Sequence, residues 1–204
     1  MSLFLPGPAG RLEALWESPA GDGPITGVAV LCHPHPLHGG TLQNKVVHTL
    51  ARACNDLGLA ALRFNFRGVG ASEGEYGAAV GETEDLHAVL DWVRRQWPDQ
   101  PLWLGGFSFG GYVALRAADR WPLTQLITVA PSVNLFARDP LPEVRCDWLL
   151  VQGDQDEVVP HGEVLEWVSG LARPPRLWEL AGAGHFFHGR LNELREGLRT
   201  RLGG

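Results

Sequence analysis

A serine hydroxyl becomes a useful nucleophile only where the chain exposes it, sets a base beside it and points donors at the developing oxyanion. Gly106-Phe107-Ser108-Phe109-Gly110 has the pattern for this, lying between the strand-like run 101–104 and the helix-like run 112–118. A sharp strand-to-helix turn lifts the serine clear of a sheet and aims the next helix N-terminus at the reacting centre. Such a turn is crowded and forces the serine into an unfavourable backbone region. The residues two before and two after must then be nearly free of side chain, and Gly106 and Gly110 meet that demand. Even with 26 glycines in 204 residues, a shuffled chain would hold only about 0.1 such patterns.

An activated serine needs a general base, and the base needs an acid to hold its tautomer. On a sheet of this kind they follow in the order serine, acid, histidine, each after a successive strand. The strand-like run 148–151 is followed by Gln152-Gly153-Asp154-Gln155-Asp156-Glu157-Val158-Val159-Pro160. Asp156 is the leading acid, with Asp154 and Glu157 as competitors. Asp154 sits against the strand end, where its carboxylate can cap the turn instead. The run 177–180 is followed by Ala181-Gly182-Ala183-Gly184-His185-Phe186-Phe187-His188. Here His185 leads, because the two glycines favour a tight loop that presents it. His188 is expected in the first turn of the last helix, facing away.

The oxyanion needs two converging backbone N–H groups. Phe109, directly after the serine, is one candidate. The other should come from the loop His33-Pro34-His35-Pro36-Leu37-His38-Gly39-Gly40. Pro34 and Pro36 have no N–H, which leaves His35 as the natural donor. The three histidines of this loop also invite a metal reading. Alternating prolines hold the stretch extended and point neighbouring imidazoles apart, and no Asp, Glu or Cys lies close in sequence. A solvated or loop-packing role is expected for them. The run Arg67-Gly68-Val69-Gly70-Ala71-Ser72-Glu73-Gly74 matches the dinucleotide fingerprint only loosely, with Glu73 at the third glycine position. It reads as a turn-rich loop at the mouth of the site. No metal and no organic cofactor is expected.

Elements must hold these residues. Leu3–Leu5 and Leu12–Trp16 flank a Pro/Gly turn and predict an N-terminal hairpin. Apolar runs at 27–32, 60–65, 102–105, 126–130, 148–151 and 177–180 alternate with helical periodicity at 46–57, 82–97, 110–121, 163–171 and 191–202. Near-continuous apolar strands separated by helices predict an α/β fold: a mostly parallel sheet of about eight strands, covered on both faces. Sites in such sheets collect at the carboxyl ends of the strands. Trp92, Trp103, Trp148, Trp167 and Trp178 are expected in the core.

The apolar fraction of 45% and the length suit one domain spanning residues 1–204. Net charge is −6 with no basic cluster, so no nucleic-acid partner is expected. No apolar stretch approaches the roughly 20 residues of a membrane span. Met1–Pro6 carries no basic leader and does not read as a signal peptide. Cys32, Cys54 and Cys146 form no CxxC pair, which points to idle thiols in a reducing cytoplasm. A small-molecule ester is the expected partner, and oligomeric state is not written in the sequence.

Together the elbow 106–110, the Gly-x-x-Asp-x-x-Val run from Gly153 to Val159 and the late His185 resemble the α/β-hydrolase superfamily. The stretches 31–36 with Gly39-Gly40-Thr41, and 63–74, resemble a narrower group of small bacterial hydrolases. That group is related to dienelactone hydrolases and to the catalytic domains of acyl-peptide-cleaving serine peptidases. The resemblance spans essentially the whole chain and implies Ser108, Asp156 and His185 as nucleophile, acid and base. Dienelactone hydrolases carry a cysteine nucleophile, so their substrate is not implied here. Many members insert a helical lid after the strand that here ends near Pro131. The connection Asn134–Arg145 is too short for one, which predicts an open, shallow site for small soluble esters.

Overall fold

In the computed structural model, which describes residues 1–20, 23–136 and 141–203, one eight-stranded sheet runs through the molecule. The hairpin β1 (Ser2–Gly7) and β2 (Gly10–Glu17) forms its antiparallel edge. Then come β3 (Val28–Cys32), β4 (Ala60–Phe64), β5 (Leu102–Phe107), β6 (Gln125–Val129), β7 (Asp147–Gly153) and β8 (Arg176–Leu180). Across the sheet the order is β1-β2-β4-β3-β5-β6-β7-β8. β2 joins β4 antiparallel, and every pairing from β4 to β8 is parallel. Pro6 lies on the outer strand β1, where a missing backbone donor breaks no ladder.

Side chains alternate along each strand and feed two separate cores. Val28, Val30 and Cys32 of β3 face one way, against α2 (Val80–Gln96), α3 (Phe109–Ala117) and α5 (His161–Ser169). Ala29 and Leu31 face the other, against α1 (Lys45–Asp56) and α6 (Leu191–Leu202). β3, β4 and β6 are buried along their whole length, which is why they read as continuous apolar runs. Asn44 starts α1 by accepting from the N–H groups of Val46 and Val47 at 2.9 and 3.3 Å. α2 begins earlier than its periodicity suggests. The Glu82 carboxylate reaches back to the N–H groups of Gly77 and Ala79, both at 2.8 Å.

Three expectations need correction. Only Trp148 of the five tryptophans is buried, its Nε1–H donating to Thr128 Oγ1 at 2.9 Å. The other four lie half-buried at the edges of the core, where their bulk is covered on one side. Helical periodicity at 110–121 resolves into α3 and a separate 3-10 turn at Ala118–Arg120. His188 sits in the exposed turn before α6 and not in its first turn. Between β6 and β7 the described residues form the one-turn helix α4 (Val133–Phe136) and an irregular run from Leu141 to Cys146. Residues 137–140 of the predicted lidless connection lie outside the described residues. Among the described residues no helix is long and apolar enough to cross a membrane.

Candidate active site

Strands β3, β5, β6, β7 and β8 are successive neighbours, and the loops leaving their carboxyl ends meet above the sheet. Ser108 stands between β5 and α3 with φ 55° and ψ −118°, a region that strains any residue with a side chain. A Cβ on Gly106 would lie 2.3 Å from the Gly110 carbonyl oxygen. One on Gly110 would lie 2.4 Å from the Cys32 oxygen and 2.5 Å from that of His33. These two glycines therefore do what the elbow demands. Gly110 also seats the start of α3 directly on the loop that carries His35.

The three predicted side chains come together. Ser108 Oγ lies 3.0 Å from His185 Nε2, and His185 Nδ1 lies 2.8 Å from Asp156 Oδ2. Asp156 Oδ1 accepts from the N–H groups of Val158 and Val159 at 2.9 and 2.7 Å. Its Oδ2 also accepts from Gln152 Nε2 at 3.1 Å. With the carboxylate acting as acceptor, Nδ1 of His185 carries the hydrogen and Nε2 is left to accept from Ser108. All three are buried, and the imidazole packs on the Phe107 ring at 4.9 Å.

The competing acids have other work. Asp154 Oδ1 accepts from the Gly182 N–H at 2.7 Å, capping the histidine loop. Glu157 Oε2 accepts from the His185 backbone N–H at 3.2 Å. A Cβ on Gly153 would sit 2.2 Å from the Ala183 oxygen, so the acid and histidine loops cross in close contact. His188 is exposed, its ring stacked beside Phe186 at 5.8 Å.

The three histidines after β3 take different places. His33 is fully buried: its Nε2 accepts from the Phe66 N–H at 3.0 Å, and its Nδ1–H donates to the Pro34 carbonyl at 2.6 Å. It ties the ends of β3 and β4 together. Burial pushes its pKa down to about 4. Because the unfolded chain then takes the proton first as pH falls, stability should drop between about pH 6.5 and about pH 4. His33 should supply about 1.4 kcal/mol per pH unit of that slope. Urea unfolding across the window checks it, and His33→Gln should lose that share.

His35 is half-buried, with its ring against Phe109 at 4.9 Å and Tyr76 at 5.1 Å. Its Nδ1 accepts from the Leu37 N–H at 3.2 Å, so its Nε2–H donates to Tyr76 Oη at 3.2 Å. Among the described residues its own backbone N–H has no acceptor. Exposed His38 stacks on His35 at 4.6 Å. The loop 67–74 is fastened through Arg67, which chelates the buried Asp85, with Nη2 at 2.8 Å from Oδ1. Tyr76, just beyond it, touches His35, whose ring lines the cavity over Ser108. A cavity of about 190 Å³ opens over Ser108 and His185, walled by Pro34, His35, Gly40, Ser132, Val158 and Phe186. Ser132, 2.9 Å from Ser108 Oγ, was not foreseen from sequence.

An eight-stranded sheet with a serine elbow after β5 and a histidine loop after β8 defines an α/β hydrolase. Residues 30–145 match the family model described as serine aminopeptidase, S33, and the chain belongs to that family of α/β hydrolases. It is similar to an alpha-beta serine hydrolase homologue from Coxiella burnetii, with 48% identity and a TM-score of 0.95 over 99% of this chain and 97% of that one. It is also similar to XC6422 from Xanthomonas campestris, a serine hydrolase without a lid, with 41% identity and a TM-score of 0.92 over 98% and 92%. The uncharacterized protein RP471 of Rickettsia prowazekii is 32% identical, over 98% of this chain and 87% of its own length.

Proposed function

We propose that this chain hydrolyses small, soluble carboxylic esters through an acyl-enzyme. Ser108 attacks the carbonyl while His185 Nε2 takes its proton, and Asp156 orients the imidazole and stabilises the imidazolium. The N–H groups of His35 and Phe109 receive the oxyanion. His185 then protonates the leaving alcohol and later activates water to free the acid. The observation that carries this reading is the unbroken hydrogen-bond run from Ser108 through His185 to Asp156, at 3.0 and 2.8 Å. No step calls on a metal or organic cofactor, and the free thiols fit a cytoplasmic setting.

The family description favours a second reading, cleavage of an N-terminal residue from a peptide. Such a substrate brings an α-ammonium, which a buried site must meet with a carboxylate. Among the described residues, no Asp or Glu lines the cavity over Ser108. Asp156 and Glu157 behind it are engaged with His185. The ester reading therefore stands ahead of the aminopeptidase reading, and a thioester would fit the same scheme.

A cavity of about 190 Å³ holds a short acyl group. In a series of p-nitrophenyl esters, kcat/KM should be highest at two to four acyl carbons, by roughly one order of magnitude over ten carbons. Aminoacyl p-nitroanilides should be turned over far more slowly. A rising preference toward long chains, or faster anilide cleavage, would contradict the reading.

A further inference from the structure

Ser132 is a buried hydroxyl that the scheme above leaves unused. It follows β6 at the carboxyl end of the sheet, after Ala130 at φ 43° and Pro131, which packs against Gly111. Its backbone N–H donates to the Ser108 carbonyl at 3.2 Å, and its Oγ lies 2.9 Å from Ser108 Oγ. The residue is 2% exposed and faces the cavity over the elbow.

Proton counting gives this contact a direction. His185 Nδ1–H is committed to Asp156, so Nε2 can only accept. Ser108 has one hydroxyl hydrogen, and in the reactive arrangement it points to Nε2. The hydrogen between the two serines must then come from Ser132. The chain of donors runs Ser132, Ser108, His185, Asp156.

We propose that Ser132 is a catalytic hydroxyl that stabilises Ser108 Oγ as the leaving group when the acyl-enzyme breaks down. The proposal rests on the acyl-enzyme reading. In the free enzyme the Ser132 bond is already made to a hydroxyl oxygen, so it gains little as attack begins. In the acyl-enzyme Ser108 Oγ is the bridging oxygen of an ester and a poor acceptor. Water adds to the acyl carbon and passes a proton to Nε2. The bond from carbon to Oγ then breaks, its electron pair stays on Oγ, and Nε2 returns the proton to that oxygen as the carboxylic acid departs. Negative charge builds on Oγ during that cleavage, with the Ser132 O–H in place to meet it. An interaction that is stronger in the transition state than in the state before it speeds that step selectively.

The test separates the two half-reactions. Stopped-flow turnover of p-nitrophenyl acetate gives acylation from the burst and deacylation from the steady state, with sites counted by fluorophosphonate titration. Ser132→Ala should slow deacylation about tenfold and acylation by no more than about twofold, as the loss of one hydrogen bond that strengthens with charge. Acyl-enzyme should accumulate on the intact protein by mass. Ser132→Thr, which keeps the hydroxyl, should restore deacylation to within about twofold of the parent. Ser132→Cys keeps the shape with a weak donor and should behave like alanine, which covers a failure of the alanine variant to fold. Equal slowing of both steps, or a rise in KM alone, would overturn the proposal while an inactive Ser108→Ala left the acyl-enzyme reading standing. A Ser108→Ala protein with full turnover would bring down both.

Discussion

Ser108→Ala is expected to lower kcat for p-nitrophenyl acetate by about 10⁴-fold or more, with the fold intact. The size follows from what is lost: with no oxygen at that position, His185 has no proton to accept and no covalent intermediate can form. Stability should respond differently. Ser108 sits at φ 55° and ψ −118°, where only glycine is unstrained. Ser108→Gly should therefore be about 1 kcal/mol more stable than Ser108→Ala. In a chain of this size that is about 2–4 °C in Tm. Calorimetry on the pair checks it, and equal melting temperatures would show that the elbow stores no strain.

Asp156→Asn is expected to cost about 10⁴-fold in kcat with the geometry preserved. An amide nitrogen turned toward His185 Nδ1 would favour the tautomer with hydrogen on Nε2, which cannot receive the Ser108 proton. Asp154→Asn and Glu157→Gln keep a carbonyl oxygen for the backbone N–H groups of Gly182 and His185. They should stay within about tenfold of the parent, since each holds a loop and neither touches the imidazole ring. Steady-state kinetics on the three variants separates the acids. A larger loss at Asp154 or Glu157 than at Asp156 would reverse their assignment.

Much of this arrangement is legible along the chain because it is local. Elbow glycines, strand-end loops and the order serine, acid, histidine are all properties of short segments. Parallel strands buried on both faces announce themselves as apolar runs, and the eight-stranded sheet follows from their alternation with helices. What the sequence hides is pairing at a distance. Nothing near Gly10–Glu17 says that this strand will turn antiparallel onto β4. Ser132 stands 24 residues from Ser108 and becomes its neighbour only because β6 lies beside β5. A polar residue just past the end of the strand next to the elbow was the available signal. Similarly, Asp154, Asp156 and Glu157 are all carboxylates within four residues; position against the strand end puts Asp156 ahead, but the backbone partners of Asp154 and Glu157 come only from the crossing of two loops. His33 is part of a His-Pro alternation that reads as surface loop, yet the approach of Phe66 closes over it.

A fluorophosphonate probe, followed by peptide mapping on the parent and on His185→Ala, addresses the nucleophile and its base in one measurement. The expected result is a single adduct on the peptide holding Ser108, formed at least about 10³-fold more slowly once the imidazole is gone. An adduct on any other residue, or labelling of Ser108 at an unchanged rate without His185, would contradict the proposed chemistry.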